Sequence, residues 1–581
     1  MKQILIKGGL PFLAMVSLSS CFDNNYDLSD IDTTSEFKVK DLVIPVNLDV
    51  ITLGDIFDIK EGDQIKEVTL NGKTFYAVNE KGNFSSDRIN IPSFVAPAPS
   101  ISPSTLSFNT AGLSGNITSN VSLELVAGVD RTVVYKAENI DPAIVELTEL
   151  YSDNLQFEIN FSAEAINGAE LSLSDVDLIL PKGLVIKSMT PAGTYNSTTG
   201  KCSIPSLSLA GGNASIVVEA SQLNVPAGSG IDYASHSLTL SENINIENAK
   251  LNVTPTGSSA ALPTNLNLNL TYNVSPINVT AISGQIEYHI EGININPIEL
   301  GEMPDFLAQD GTNLVLANPQ IYLSLTNPLA KDGIRYQSGL TLTANRENSP
   351  AKDFSLDNGT FQVGLFPSQN DRFNFCLSPS YPENIPDGFP NLTHVAFSSL
   401  GEVLSGDGIP TSIDIRLDDP QISRQKVTKF GLNQNIEGIN GSWEFLAPLA
   451  LTSNGSNQSQ IVYTKTVDGW NDQDVDAITI KVLELNMTVD NNLPLEANLT
   501  GYPIDVNGKQ ISNVEIEGAV IPGNAKDMPV KIYITGEVKH LDGIRFTANV
   551  YPTSDEALAP SQSLTLKNVK AKVTGNYIKE L

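Results

Sequence analysis

Histidine, cysteine and tryptophan are nearly missing from this chain, with four, three and two copies in 581 residues. The scarcity of histidine removes most metal and acid–base chemistry. None of His236, His289, His394 and His540 is followed by Glu, so the chain has no helix-borne His-Glu-x-x-His zinc motif. No two of them lie close in sequence, and each reads as a strand-surface residue. No Gly-x-Ser-x-Gly elbow is present. Gly72-Lys73-Thr74 has the end of a phosphate loop, but Glu67 stands where its first glycine belongs, so it reads as a hairpin turn. With only Trp443 and Trp470, the aromatic platforms of sugar-cleaving clefts are scarce as well. Paired carboxylates for a glycosidase could still come from any two strands. That enzyme is the minor alternative to a non-enzymatic protein with no cofactor.

Positive charge is short too. Lys and Arg number 35 against 66 Asp and Glu, a net charge of −31. A body this acidic repels phosphate backbones, which excludes nucleic acid, and it resists docking onto anionic lipid. Cys202 and Cys376 lie 174 positions apart and read as small core residues rather than as a disulfide.

No apolar run is long enough to span a bilayer as a helix. The start, MKQILIKGGLPFLAMVSLSSC, has Lys2 and Lys7, a short apolar core from Leu10 to Leu18, and small residues before Cys21. That layout is a secretory signal. Leu18-Ser19-Ser20-Cys21 resembles the lipobox of bacterial lipoproteins, which implies cleavage after residue 20 and diacylglycerol on the Cys21 thiol. Each buried methylene contributes about 0.8 kcal/mol, and stable anchoring takes more than one chain, which this modification provides. Loss of Lys2 and Lys7 takes the net charge from −31 to −33. The stretch after Cys21 holds Asp23, Asp27, Asp30, Asp32 and Glu36 and no base, and reads as a solvated tether over 21–41. It resembles the acidic leader of Bacteroidetes lipoproteins exported to the outer face, and Asp32-Thr33-Thr34 resembles that group's O-glycosylation acceptor, with Thr33 as the site. Both likenesses imply a protein anchored in the outer membrane by lipid and facing the cell surface. The periplasmic face is the alternative.

What the chain does contain is alternation. After Leu42 nearly every segment repeats apolar and polar residues with period two, rich in Val, Ile, Thr, Leu and Tyr. Asn-Gly pairs at 71, 167, 358, 440, 454 and 507 supply the positive φ angles of tight hairpins. The expected fold is all-β, with tandem β-sandwich domains. Pro/Ser/Ala-rich breaks at 97–103 and 255–263 and a polar break near 418–425 divide it. The divisions are a β domain over 42–149, a sandwich over 150–254, a β domain over 255–424 and a C-terminal β domain over 425–581. The two proline-rich stretches also suit long interstrand loops.

Residues 175–220 carry a Leu180-Pro181-x-Gly183-Leu184 turn, Gly193-Thr194-Tyr195, Thr199-Gly200 and Gly211-Gly212 before an alternating strand. They resemble the immunoglobulin-like repeat of bacterial surface and adhesin proteins, with Lys201-Cys202 departing from that pattern. The resemblance implies architecture, not activity. Two internal echoes pair Ile51–Ile59 with Ile298–Phe306 and Asp332–Tyr336 with Asp542–Phe546. They mark either a β unit used twice or reused turn chemistry.

One loop stands out, Asp468 to Asp476. Asp472, Asp474 and Asp476 have the 1-3-5 spacing of a calcium loop, but Ala477 and Leu483 replace its Gly and Glu, so it is not an EF-hand. A nonstandard calcium site and a solvated acidic hairpin tip both fit. Trp470, flanked by Gly469 and Asn471, is the candidate glycan contact, whereas Trp443 in Ser-Trp-Glu-Phe-Leu reads as a strand residue turned inward. Alternation over Ile478/Ile480/Val482 changes phase at Leu483/Leu485/Met487, which predicts a β-bulge there.

As a whole the chain resembles the outer-membrane lipoproteins of Bacteroidales. The expected function is a lipid-anchored cell-envelope protein presenting β-sandwich domains for binding or structural interaction. A surface glycan-binding lipoprotein of a polysaccharide-uptake system is the alternative, and a fimbrial or adhesin subunit the second. Its partners would be the membrane, through lipid on Cys21, and a glycan or another envelope protein.

Overall fold

The computed structural model describes residues 34–580 except 46–50, 54–63, 111, 114, 227–230, 233, 301–306, 308, 348, 368–370, 407–408, 454–457, 469–477 and 513. The described chain is almost entirely strand, broken by short 3-10 turns such as Ala330–Asp332 and Ser398–Glu402. Period-two burial drives it. Ser104–Phe108 and the first eight residues of Leu266–Val274 alternate buried and exposed without a break, so each strand offers one apolar face.

Those faces close into three β-sandwiches of one topology. The first sets Val129–Ala137, Ser237–Pro255, Ala169–Ile179 and Lys201–Ser208 against Ile144–Ala163, Asn213–Asn224 and Val185–Thr190. The middle one sets Lys73–Ser85, Asn440–Pro448, Gln320–Thr326 and Arg372–Ser378 against Ala281–His289, Ser412–Gly431 and Tyr336–Asn345. The last sets Thr34–Pro45, Ser563–Glu580, Ile478–Asn491 and Ala525–Val538 against Ile461–Val467, Gly543–Pro552 and Leu495–Ile504. In each, the strand that opens the unit pairs antiparallel with the strand that closes it.

The three units are nested. Their opening strands come in reverse order, Thr34–Pro45 for the last, Lys73–Ser85 for the middle and Val129–Ala137 for the first. The first sandwich is then completed, the middle one next and the last one at the chain's end. The domain divisions read from sequence therefore differ from the structure. Residues 42–149 are distributed over all three sandwiches, and the boundaries at 41/42, 149/150 and 424/425 fall inside Thr34–Pro45, Ile144–Ala163 and Ser412–Gly431. The tether proposed for 21–41 gives way to strand at Thr34. The proline-rich stretches at 97–103 and 255–263 connect strands within the fold, the second carrying Ala260–Leu262 paired with Gly115–Ile117. The cause is common to all these differences: alternation reports which residues form strand, not which strand they pair with.

An eleven-stranded sheet joins the first two sandwiches. The Ile144–Ala163 strand pairs with Ala281–His289 through its first half and with Leu266–Val274 through its second, and its register with Asn213–Asn224 shifts between Tyr151 and Leu155. One continuous apolar core runs through both units, including Phe157, Phe161, Leu323 and Phe445. That core reaches the last sandwich at Ile461, Leu493, Leu495 and Leu558, and the rest of the last sandwich holds two small clusters, around Ile480, Ile534 and Ile544 and around Val489, Ile521 and Val530.

Local turn chemistry follows the sequence in most places. Asn71 and Gly72 have φ of 51° and 79° and close the hairpin between Ile65–Leu70 and Lys73–Ser85. Asn440-Gly441 does not turn. It lies in strand opposite Phe84, whose ring fills the space a Cβ at Gly441 would need. In the 175–220 segment, Tyr195 ties the Leu180–Leu184 turn, its hydroxyl donating to Pro181 O at 2.7 Å and accepting from Leu184 N at 3.3 Å. Gly183 is at φ 73°, with Asn224 where a side chain would go. The predicted bulge is present: between Ile480 and Val482 the register shifts against both neighbouring strands. The second echo is not a repeat of structure, and most of the first lies outside the described residues. Asp332–Tyr336 leads into the fourth strand of its sandwich and Asp542–Phe546 starts the sixth strand of another.

Candidate ligand cleft

Among the described residues, the strongest concentration of unsatisfied polar atoms lies at the mouth of the middle sandwich. Strands Lys73–Ser85 and Asn440–Pro448 run side by side there, with Gly82 opposite Trp443 and Gly441 opposite Phe84. Each aromatic lies over the other strand's glycine. A Cβ on Gly82 would come within 2.6 Å of Trp443 Nε1, so only glycine lets the indole lie flat. Trp443 is thereby 4% exposed and belongs to the core.

Trp443, Gly82 and Ile298 form the apolar part of a cleft of about 160 Å³ whose rim carries Gln64, Glu80, Lys81, Asn83, Asn296 and Glu299. Trp443 Nε1 and Gln64 Oε1 are buried and have no partner among the described residues, and neither does Asn79 Oδ1 nearby. Two ion pairs border the cleft. Lys66 meets Glu80 at 2.7 Å, and Lys81 meets the buried Glu444 at 3.1 Å, where Asn79 Nδ2 also donates. The arrangement offers an N–H donor, an amide acceptor and carboxylates on an apolar floor.

A second polar cluster marks the seam between the first two sandwiches. Tyr151 Oη donates to Glu149 Oε2 at 2.6 Å and Ser283 Oγ donates to the same oxygen at 2.7 Å. These two bonds hold the Glu149 carboxyl below its ordinary range, while burial and the neighbouring carboxylate raise Tyr151. Lys429 N donates to Ser283 Oγ at 3.1 Å, so the cluster bridges three strands. A third lies in the last sandwich, where Lys567 is ion-paired to Asp490 and to Asp527.

The residues singled out by sequence fall as follows. Cys21, Thr33, Trp470, Asp472, Asp474 and Asp476 lie outside the described residues. Cys202 and Cys376 are free, buried and in different sandwiches, and burial pushes both thiols up to about 11. His289 Nδ1 stands 2.7 Å from Asp419 on the surface, and His394 Nε2 is 3.1 Å from Ser378 Oγ. His236 and His540 occupy positive-φ positions. No group of three or more His, Cys, Asp or Glu with metal-site geometry occurs among the described residues. Sequence reasoning set Trp443 aside as core. Its burial was legible from Ser-Trp-Glu-Phe-Leu, but the cleft was not, because its walls come from residues 64, 80–83 and 296–299.

No protein-family model and no curated protein matches the chain. Among solved structures, it is similar to a protein of Parabacteroides distasonis ATCC 8503 provisionally described as secreted. The identity is 16% and the TM-score 0.36, over 50% of this chain and 89% of that one. A triple-jelly-roll turret protein of an archaeal virus aligns at 11% identity and TM-score 0.10, over 83% of this chain and 91% of that one. Among the described residues, no helix is long and apolar enough to cross a membrane, which says nothing of strands.

Proposed function

We propose that this protein is a lipid-anchored, non-enzymatic cell-envelope protein that presents three joined β-sandwiches for binding or structural interaction. The anchor is diacylglycerol on Cys21, in the outer membrane, with the body on the outer face. The first sandwich takes the role of an immunoglobulin-like unit, as its Leu180–Gly212 motifs imply. One observation carries the reading. Thr34–Pro45, thirteen residues after Cys21 at its first position, pairs along the chain's last strand from Thr34↔Glu580 to Pro45↔Lys570. An anchor at Cys21 thus pulls on a strand built into the fold, not on a loose tail. The last sandwich sits nearest the lipid, and the joined first and middle units project beyond it. His289 and the Glu149, Asp490 and Asp527 carboxylates are engaged with partners of their own, which suits scaffold more than turnover.

The fimbrial alternative draws no support from the closing strand. Both edges of Ser563–Glu580 are occupied, by Thr34–Pro45 and by Ile478–Asn491, so strand exchange would first require withdrawal of Thr34–Pro45. The anchor is tested by metabolic labelling with a fatty acid. The parent takes up label, Cys21→Ser does not, and label persisting in the variant contradicts the assignment. Protease added to intact cells removes a surface protein and spares a periplasmic one.

A further inference from the structure

We infer that the Trp443 cleft is a saccharide subsite that takes a single sugar ring at the mouth of the middle sandwich. A buried N–H and a buried amide oxygen without partners are each costly to keep, so a native fold that keeps both has a use for them. In this cleft they stand on opposite kinds of need, since Trp443 Nε1 must donate and Gln64 Oε1 must accept. A hydroxyl both donates and accepts, and a polyhydroxylated ring supplies several at fixed spacing. A phosphate or carboxylate ligand could satisfy only the indole of these two and would face Glu80 and Glu299 on the rim, where the one cation, Lys81, is already paired with Glu444. A basic ligand could not satisfy the indole. An apolar one would leave both atoms unpaired. The floor of Trp443, Gly82 and Ile298 suits the C–H face of a sugar, and Asn83, Asn296 and Glu299 are exposed on the rim where further hydroxyls would reach. The volume of about 160 Å³ limits the occupant to one ring, with the remainder of any longer glycan outside.

The site is independent of the lipid anchor, so acylation and sugar binding can fail separately. The chain's two tryptophans make the test specific. In the detergent-extracted mature chain carrying Trp470→Phe, Trp443 is the only indole, and its emission reports this cleft alone. The probes are glucose, galactose, mannose, N-acetylglucosamine and their short oligomers. At least one is expected to change Trp443 emission saturably. Asn83→Ala and Glu299→Ala should each weaken that binding by about tenfold, the loss of one or two ligand hydrogen bonds, with the melting temperature unchanged. Both substituted side chains are exposed on the rim, so folding is not at stake. Absence of a saturable change with every probe, or binding that survives both rim variants, overturns the inference and leaves a cleft filled only by water.

Discussion

The middle and last sandwiches share a strand order and differ in how they are held. The middle one packs into a core continuous with the first, and its fourth strand, Tyr336–Asn345, is buried at seven of ten positions. The corresponding strand of the last, Leu495–Ile504, is mostly half-buried, and that unit reaches the common core through Ile461, Leu493, Leu495 and Leu558, with two small clusters of its own besides. One topology therefore needs no fixed amount of core. The middle unit borrows stability from a neighbour through a shared sheet, while among the described residues the last has both its sheets to itself and meets the common core at one edge only. Hydrophobic burial scales with apolar area removed from water, so the joined units should unfold together and the last one separately, at lower temperature.

The sharpest break of this contrast comes from the core. Leu323→Ala in the third strand of the middle unit should cost about 2–5 kcal/mol and lower the transition shared by the first two sandwiches. Leu483→Ala, in the third strand of the last unit, should lower only the other transition. Calorimetry of both variants decides this, and a single merged transition in each would deny the separation.

A smaller effect tests what the two units have in common. Asn327, 8% exposed, donates to Ile334 O and Gly364 O and accepts from Leu329 N. Asn491, 2% exposed, donates to Leu495 O and Pro522 O and accepts from Leu493 N. Each ends a third strand and fastens the turn into the fourth. Asn327→Ala and Asn491→Ala should each cost about 1–3 kcal/mol, in the transition of its own unit, because backbone groups are left unpaired. Thermal melts that show an effect for only one of them would mean that the shared turn is incidental.

How far the sequence carries is clear from these same elements. The phase change at Val482–Leu483 announced a bulge because alternation is local, and that bulge is present. Strand identity, Trp443's burial and the Asn71-Gly72 hairpin are local in the same sense. The pairing of Thr34–Pro45 with Ser563–Glu580 is not, since nothing in either segment names a partner more than 500 residues away. Asn440-Gly441 shows the converse, a turn signal overridden by the Phe84 ring packed against it. The cleft stayed hidden for the first reason, as three distant segments build it.

Acid should separate the units next. Glu149 at the seam has its folded value held below the ordinary 4.5 by the Tyr151 and Ser283 hydroxyls. A depressed carboxylate contributes stability at neutral pH that is lost as pH falls from 4.5 through the folded value. Glu149→Gln should therefore flatten the acid limb of the joined transition and leave the last sandwich's pH dependence as it was. A steep acid limb retained in the variant would place its origin elsewhere.

The smallest expected change is at the surface of the last unit. Lys567→Ala removes the ion pairs with the half-buried Asp490 and the exposed Asp527, and should shift the melting temperature slightly at low salt and not at high salt. A large, salt-independent loss would show that this pair braces the unit.

The nested closure itself is open to direct measurement. Lys38 and Asn576 are register partners across the opening and closing strands of the last sandwich. In a chain carrying Cys21→Ser, Lys38→Cys and Asn576→Cys, mild oxidation should form a link within one molecule, detected as faster migration on a denaturing gel and lost on reduction. Cys202 and Cys376 are buried and should stay unreacted in the folded protein. Absence of that link, or links found only between molecules, would contradict the closure of the last sandwich by the chain's own two ends.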